Sequence, residues 1–330
     1  METLYGTATG ASNIIAMSVN ESHSASNTIA TIECGSFSGT IGNEIEIDMG
    51  FVSSHGKVFT GYVKSIEQTV PENIYSITCS DKLIRASDFF IVPDSPTSSF
   101  TRSNIAAEQL VEDVLGLSGI TGVDSQATSF TLAVNGTEAE VKLVSSYDYS
   151  KSIADLLAWH LWADRGGTIN FKNRKPYVML GTSGQPGDIA DVPLSGKEIN
   201  DSNAINIVYR VSEVDLRNKV VVWGYNGITA SSSATSPYLP DGYFKTVLFS
   251  NDLVDTQDMA DRVALYNREA LNRPNREVTA SVIGDYILQT RKTINVSLSN
   301  SVGVEEQMYI FSATHSWSSA GYEVSLVLRG

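Results

Sequence analysis

A segment near the start of this chain is echoed near its end. In Glu44–Met49 apolar residues alternate with acidic ones, and Lys292–Leu298 alternates apolar and polar residues in the same phase. The offset between the two segments, from Ile45 to Ile294, is 249 residues. Further matches at this offset are Phe59 with Met308, Tyr62 with Phe311, Ile77 with Leu326 and Cys79 with Leu328. A period of two is typical of a half-buried strand, so the two ends are predicted to be copies of one small β unit, although any two alternating stretches would match at their apolar positions.

The composition is that of a folded protein, with 42% hydrophobic and 18% charged residues. A chain of 330 residues is long enough for two or three domains, each with its own core. Met1–Leu4 shows no basic segment leading into an apolar run, and no stretch approaches the roughly 20 apolar residues that cross a bilayer. We therefore expect a soluble protein that is made in a cytoplasm and does not insert into a membrane.

The net charge of −14 argues against a surface that grips nucleic acid, because such a surface needs clustered Lys and Arg. An acidic wall would instead repel phosphates and let DNA pass without adhering, over the screening distance of about 8–10 Å in physiological salt. The commoner explanation is that the acidity favours solubility.

We predict an α+β fold, mostly β, in which two similar small β-barrels flank a small α+β domain. Residues 1–98 form the first barrel, residues 99–200 the middle domain and residues 201–330 the second barrel. The predicted strands of the first barrel are Thr28–Cys34, Glu44–Met49, Lys57–Ile66 and Ile74–Cys79. Glycines punctuate this region at short intervals, as tight barrel corners require. Val92–Ser99, with two prolines, is predicted to be a linker.

The middle region changes to a helical period. Ser103 is predicted to cap a helix that ends near Leu115, and Ser150 to cap a second helix whose inward residues extend to Leu161. Asn135-Gly136 is typical of a hairpin turn. The predicted hairpins are Ser129–Val134 with Ala139–Val144, and Thr168–Phe171 with Tyr177–Leu180.

The last region returns to strands. The predicted strands are Ala204–Val211, Lys219–Trp223, Glu277–Ile283, Thr293–Leu298, Gln307–Ser316 and Tyr322–Leu328. A third helix is expected to start at Asp255 or Thr256 and to end at Asn272-Arg273-Pro274. The Ser-, Pro- and Gly-rich stretch Gly227–Gly242 is longer than an ordinary connection, so it is expected to be mobile or ordered by a partner.

No motif predicts catalysis, and we assign no catalytic, cofactor-binding or metal-binding residue. The histidines His23, His55, His160 and His315 lack a second ligand at metal spacing, and His160 is expected on the packed middle helix. Glu305-Glu306 is expected in a loop, and the acids Asp252, Asp255 and Asp258 suit a helix start better than a calcium site. Cys34 and Cys79 fall in predicted strands of the first barrel and are expected to be buried free thiols, whether or not they lie side by side.

Several stretches resemble the baseplate hub proteins of contractile phage tails, the group that includes the late control D proteins and the N-terminal half of VgrG spikes from type VI secretion. The stretches are Gly42–Gly50, Lys57–Ile66, Ile74–Lys82, Ser152–Leu161, Asp164–Gly167 and Met308–Gly330. The pattern of Lys57–Ile66, which reads VFTGYV at its centre, is similar to the signature of the first barrel in that family.

The resemblance implies a structural role at the tail tip of a virion. Two barrels per subunit would let a homotrimer form a pseudo-sixfold ring between the sixfold tail tube protein and a central threefold spike protein. The ring would surround a channel through which tape-measure protein and DNA pass without sequence-specific binding. The chain stops at Gly330, so the spike is expected to be a separate protein, unlike in VgrG.

The residues by themselves leave two other classes open. A tail-associated cell-wall hydrolase would need paired carboxylates in a cleft. A carbohydrate- or receptor-binding tail module would use exposed aromatic residues such as Trp317 and Tyr238. In the ring, Phe59, Tyr62, Tyr309 or Trp317 would either make subunit contacts or, as we favour, pack in the core.

Overall fold

The computed structural model describes residues 2–92, 100–128, 130–135, 137–173, 193–272, 275–300 and 303–330. The predicted linker Val92–Ser99 and the predicted strand Tyr177–Leu180 lie almost wholly outside these residues. The fold is mostly β, with four α-helices among the described residues. No helix in this part of the chain is long and apolar enough to cross a bilayer.

Six strands form the N-terminal unit. They are β1 (Leu4–Ala8), β2 (Ala11–Ser22), β3 (Ile29–Phe37), β4 (Glu44–Phe51), β5 (Ser54–Thr69) and β6 (Ile74–Asp81). Their order in the sheet is β1-β4-β5-β6-β3-β2. The inward side chains of these alternating strands share one core, as in β4, where Ile45, Ile47 and Met49 are buried.

Short elements and three helices follow. They are α1 (Ile84–Asp88), β7 (Phe90–Ile91), β8 (Phe100–Arg102), β9 (Ile105–Ala106), α2 (Ala107–Leu117), β10 (Asp124–Ser125), β11 (Thr131–Leu132), β12 (Ala139–Val141), β13 (Val144–Ser145), α3 (Ser146–Leu156), β14 (His160–Ala163) and β15 (Ile169–Lys172). The strands here pair in small sheets, of which the largest has the order β10-β15-β14.

The rest of the chain is again strand-rich. Its elements are β16 (Pro193–Asn200), β17 (Ala204–Ser212), β18 (Lys219–Trp223), a 3₁₀ turn (Tyr225–Gly227), β19 (Thr229–Ser233), β20 (Thr246–Ser250), α4 (Gln257–Leu271), β21 (Asn275–Ile283), β22 (Thr293–Leu298), β23 (Val304–Ser318) and β24 (Gly321–Arg329). Six of these strands form a C-terminal unit in the order β16-β22-β23-β24-β21-β17.

The two six-stranded units therefore share one strand order, with β4, β5 and β6 matching β22, β23 and β24. They differ at one edge, where β1 runs antiparallel to β4 but β16 runs parallel to β22. Antiparallel pairing of β2 with β23 joins both units into one 12-stranded sheet, and the hydrogen-bonded order of the described strands runs from β1 to β17.

The strand registers refine the repeat and correct two of its matches. Ile45 lies opposite Gly61 in the first unit, and Ile294 lies opposite Met308 in the second, so Gly61 corresponds to Met308. The offset is thus 249 residues for β4 and β22 but 247 for β5 and β23, from Gly61 to Met308. The matches of Phe59 with Met308 and of Tyr62 with Phe311 are wrong by two residues. A slip of two keeps every side chain on its face, so alternation cannot detect it.

A shared irregularity supports the corrected alignment. The β5–β6 ladder shifts register between Val63 and Ser65, and the β23–β24 ladder shifts between Ile310 and Ser312. At an offset of 247 these two bulges coincide. A bulge bends a strand and increases its twist, so both units bend at the same place.

Most of the buried apolar side chains among the described residues form two hydrophobic cores. One lies within the two six-stranded units and includes Ile32, Phe59 and Leu326. The other joins α1, α2 and α3 to β18, β19 and α4, with Leu110, Val220 and Val263 among its members. Elements that follow residue 200 thus share a core with the middle region. The division at residues 98 and 200 remains a prediction.

Several local predictions in the middle region are wrong. Ser103 does not cap α2, which begins after Ala106 without a side-chain cap. The cap of α3 is Ser145, whose Oγ accepts from the Asp148 amide, and Ser150 lies inside the helix. Both helices start at the end of a short strand, whose pairing is long-range and leaves no local signal. The third helix follows its prediction, because Thr256 caps α4 by accepting from the Met259 amide.

The predicted hairpin of Ser129–Val134 with Ala139–Val144 is also wrong, while the partner strand of the second predicted hairpin, Tyr177–Leu180, lies outside the described residues. β11 pairs with β9, and β12 pairs with β8, so the segments on either side of Asn135 do not pair with each other. Asn135 instead donates its backbone N–H to Asp255 Oδ2 at 2.7 Å. β15 pairs with β14 and β10. Asn135 is thus bonded to Asp255, which directly precedes the N-cap of α4 and lies 120 residues further along the chain.

Candidate assembly interface

The junction of β2 with β23 is the place where one unit continues into the other. Residues 16–22 lie antiparallel to residues 318–312. Val19 lies opposite His315, and both are fully buried, while the neighbouring pair, Ser18 and Ser316, faces the other side of the sheet. Strands at a sheet edge expose unpaired N–H and C=O groups, and this ladder satisfies those of both strands. The junction is therefore a built example of edge-to-edge joining within one chain.

Two equivalent edges are unpaired among the described residues. β17, the counterpart of β2, pairs with β21 alone. β5, the counterpart of β23, pairs with β4 only as far as Tyr62. Beyond Tyr62 it continues to Thr69, and on this stretch it pairs with β6 along its other edge. β17 carries exposed apolar side chains at Ile205, Val208 and Val211.

Arg165 ties the middle region to both six-stranded units. It lies in the turn between β14 and β15, and its Nε donates to Glu21 Oε1 of β2 at 2.5 Å. Nη2 donates to the Leu288 carbonyl at 2.7 Å, and Nη1 donates to the Tyr286 carbonyl. The Arg165 carbonyl in turn accepts from Thr60 Oγ1 of β5 at 2.8 Å. One turn thus contacts β2, β5 and the segment before β22.

The glycine that closes this turn is at a position where a larger residue would be strained. Gly167 has φ +82°, and a Cβ atom there would lie 2.7 Å from Lys82 Cε. Gly167 also donates its N–H to the Asp164 carbonyl at 2.9 Å. A left-handed backbone and a close approach both favour glycine, so the Asp-Arg-Gly-Gly turn presents Arg165 in one orientation.

His315 of β23 completes the Arg165 cluster as a neutral side chain. Its Nε2 lies 2.8 Å from Arg165 Nη2, and its Nδ1 lies 2.6 Å from Tyr322 Oη. The same Nε2 lies 2.8 Å from the Leu288 carbonyl oxygen, so it faces a donor, the guanidinium, and an acceptor, the carbonyl, at equal distances. Burial, and then the charge of Arg165, holds the pKa of His315 well below its usual value.

A second polar cluster lies beside the first. The rings of His23 and His160 are 3.8 Å apart, and His160 Nε2 donates to the His23 carbonyl. His23 Nδ1 lies 2.9 Å from Tyr309 Oη. Burial lowers the pKa of both histidines well below the usual value, and the neighbouring charge of Arg291 lowers it further in each. His160 lies on β14 and not on the predicted helix, because α3 ends at Leu156.

Asp81 is a third buried group at this junction. Its carboxylate accepts from the Thr28 amide at 2.6 Å and from the Leu83 amide at 3.0 Å. Burial raises the pKa of Asp81 to about 6 in spite of these bonds. A cavity of about 30 Å³ beside Asp81, Glu21 and Arg165 is large enough for a water molecule but not for a substrate. The cluster is organised as a structural joint.

The other residues that the sequence singled out are dispersed. His55 stacks on Tyr5, and Glu305 and Glu306 lie in β23 rather than in a loop, with Glu306 paired to Arg276 at 2.8 Å. Asp255 accepts from Thr137 Oγ1 at 2.5 Å. Groups of three or more potential metal-ligating side chains are not found among the residues that the structure describes.

The aromatic residues named above differ in burial, and both cysteines are buried. Phe59 and Tyr309 are buried, Trp317 and Tyr62 are half-buried, and Tyr238 is exposed. Cys34 and Cys79 are buried free thiols on the adjacent strands β3 and β6. They do not lie opposite each other, because Cys79 lies opposite Ala30 and Cys34 lies opposite Tyr75. Four residues along a strand separate the two thiols by roughly 13 Å, which excludes a disulfide.

Sequence reasoning missed β1, β2 and the Glu21–Arg165 pair. One signal for Glu21 existed, because it falls in phase with Met17 and Val19 and so faces the core of any strand that contains them. Arg165 is visible in the sequence only as part of the Asp164–Gly167 turn. Its partner lies 144 residues away.

Solved structures that match this fold include phage tail proteins. The 43 kDa tail protein of prophage MuSo2 from Shewanella oneidensis matches with a TM-score of 0.68 at 16% identity, covering 99% of this chain and 98% of that one. The tail protein from Neisseria meningitidis MC58 matches with a TM-score of 0.69 at 12% identity, covering 99% and 96%. The chain has the fold of phage tail proteins.

A third match extends the fold to secretion machines. The E. coli c3393 protein, a component of the type VI secretion system with structural similarity to the T4 tail proteins gp27 and gp5, matches with a TM-score of 0.57 at 10% identity, covering 98% of this chain and 76% of that one. No protein-family model matches the sequence, and no curated protein does. The tail-protein resemblance of the sequence is confirmed at the level of fold.

Proposed function

We propose that this protein is the structural hub of a phage or phage-like tail baseplate. Three copies form a pseudo-sixfold ring at the tail tip of the virion and join the sixfold tail tube to a threefold spike protein. The single observation that carries this proposal is the shared strand order of the two six-stranded units, because a chain with two like units gives six like positions from three copies.

The matched folds support the proposal. The similar structures are named as tail proteins, and one belongs to a type VI secretion component with structural similarity to T4 tail proteins. In this proposal each six-stranded unit curls into a small barrel, so that its outer strands are available to neighbours. The late control D proteins and the N-terminal half of VgrG remain the families that the sequence resembles.

The ring encloses a channel for tape-measure protein and DNA. The net charge of −14 suits a lining that repels phosphate and lets DNA pass. Replacing channel-facing Asp and Glu residues by Lys is expected to slow DNA ejection. Unchanged ejection kinetics would contradict an acidic lining.

Cryo-electron microscopy of the purified chain, with its mass measured by light scattering, tests the hub. We expect three copies in a ring with six similar lobes and an open centre. A monomer at all concentrations, or a compact particle without a channel, would contradict the proposal.

A carbohydrate-binding tail module is a second candidate, favoured by one observation. The exposed residues Tyr238, Tyr243 and Phe244 lie close together in the sequence before β20. A glycan array with the wild-type chain and with Y238A would detect such binding. Specific binding that Y238A abolishes would support this second role.

A further inference from the structure

The described part of the chain contains one joint between the two six-stranded units and, in addition, one copy of each half of that joint that pairs with no other described strand. β2 uses its edge to join β23, while β17 and the far end of β5 hold the corresponding positions in the opposite units. A joint of this kind is head-to-tail, so the unused halves of one chain fit those of the next. We propose that neighbouring subunits join by pairing β17 of one copy with residues 65–69 of β5 of the next.

The known joint gives the register of the new one. In the first unit Ala30 lies opposite Cys79 and Val19, and in the second Val278 lies opposite Leu328 and Tyr209. Because Leu328 is the counterpart of Cys79, Tyr209 is the counterpart of Val19. The offset from β2 to β17 is therefore 190 residues, from Val19 to Tyr209, and the offset from β5 to β23 is 247.

Applied to the observed pairs of β2 with β23, these offsets predict the pairs of β17 in one copy with β5 in the next. Asn20 lies opposite Thr314, which places Arg210 of one copy opposite Glu67 of the next. Glu21 lies opposite Ala313, which places Val211 opposite Ile66. The remaining predicted pairs are Ser212 with Ser65, Tyr209 with Gln68 and Val208 with Thr69.

The chemistry of the predicted pairs is complementary on both faces. On one face, Arg210 and Glu67 are exposed residues of opposite charge. On the other face, Val211, 53% exposed, meets Ile66, which already packs against the core of the six-stranded units. Opposite charges and apolar pairs directly across a ladder stabilise it.

The backbone of β5 just before its unpaired end is hydrogen-bonded in the same way as the backbone of β23 just before the stretch that pairs with β2. Val63 exchanges backbone hydrogen bonds with Gly42 and Asn43 just before residues 65–69. Its counterpart Ile310 does the same with Arg291 and Lys292 just before the stretch that pairs with β2. The two edges therefore leave their units at the same point, after the same bulge.

This inference rests on the ring proposed above and adds its contacts. The decisive experiment is disulfide cross-linking of the full chain with the variant E67C/R210C. Cys34 and Cys79 are fully buried and stay unreactive, so the new thiols are the only ones available in the folded protein. We expect oxidation to give covalent dimers and trimers on a non-reducing gel.

A register control uses E67C/N206C. Asn206 is exposed and lies on the same face of β17 as Arg210, but four residues away, roughly 13 Å along the strand, which is beyond the reach of a disulfide. We expect no cross-linked species. Equal cross-linking of both variants would overturn the proposed register.

Charge reversal and an apolar substitution give independent tests. E67R or R210E is expected to weaken association by about fivefold at each interface, and E67R/R210E to restore it. V211D is expected to abolish the oligomer, while V52D, at an exposed valine of similar exposure (59%) in the β4–β5 turn, leaves it intact.

The outcomes distinguish a failure of the proposed β17–β5 pairing from a failure of the proposed hub. A wild-type trimer whose E67C/R210C variant does not cross-link would overturn the strand pairing and leave the hub standing. A chain that is monomeric at all concentrations would overturn both. A trimer that cross-links only in the predicted register would support the pairing.

Discussion

Arg165 Nε lies 2.5 Å from Glu21 Oε1, and both side chains are nearly withdrawn from solvent. The pair connects a turn of the middle region to the strand at which the two six-stranded units join. Thr290 donates its backbone N–H and its hydroxyl to the other oxygen of Glu21, so the carboxylate is bonded on both oxygens. A buried charge pair with its remaining bonds satisfied fixes how three parts of the chain meet.

Breaking this pair is expected to destabilise the protein strongly. R165M leaves the Glu21 carboxylate buried without its cation, and we expect a loss of about 3–5 kcal/mol in the free energy of unfolding. Denaturant unfolding followed by circular dichroism measures it. The matched control is K57M, which removes the exposed pair of Lys57 with Glu46 and should change stability by less than about 1 kcal/mol. Equal losses in both variants would contradict the role of Arg165.

The buried histidines predict that stability falls in acid. The pKa values of His23, His160 and His315 are lowered in the folded state, so the unfolded chain binds more protons below its own value of about 6.5. Their contribution to stability is full above that pH and is lost as the pH falls below it. Asp81, with its pKa raised to about 6, has the opposite sign, because its contribution grows as the pH falls toward 4.

Thermal unfolding between pH 7.5 and 5.5 measures the net effect of the three histidines and Asp81 on stability. We expect the melting temperature to decrease over this range in the wild type and to decrease less in H160Q, which removes one titrating group facing His23 and Arg291. D81N should make the decrease steeper, since the opposing carboxyl is gone. The same slope in H160Q and in the wild type would show that His160 does not titrate differently on folding.

Two glycine substitutions are expected to have opposite effects. A Cβ atom at Gly61, in β5, would lie 2.2 Å from the Ser80 carbonyl oxygen and 2.5 Å from Phe59 Cζ. G61A should therefore destabilise by about 2–3 kcal/mol or more. Gly116 lies in α2 with open space around it, so G116A should stabilise by about 0.5–1 kcal/mol. Denaturant midpoints of both variants test the difference in sign.

The thiols of Cys34 and Cys79 are expected not to react with thiol reagents in the folded protein. Burial raises the pKa of both, that of Cys79 to about 12, and the unreactive thiol form is kept. An aromatic disulfide reagent is expected to titrate no thiol in the native chain and two after denaturation. A native disulfide, or rapid reaction of either thiol before unfolding, would contradict the registers of β3 and β6.

Local pattern alone determined much of the C-terminal and N-terminal strands and one helix. The alternation in β4, β6, β22 and β24 and the Thr256 cap of α4 are properties of a few neighbouring residues, and the structure confirms them. The same alternation could not measure the two-residue slip between β5 and β23, because such a slip leaves each side chain on its face.

Only the tertiary structure decided which edges meet. The pairing of β2 with β23 and the bond from Arg165 to Glu21 join residues that are far apart along the chain, and neither leaves a periodic trace in the sequence. Short strands such as β9 and β13 are stabilised by distant partners rather than by their own residues, so Ser103 and Ser150 misled a local reading of the helix starts. Strand identity is local, whereas strand partnership depends on the whole chain.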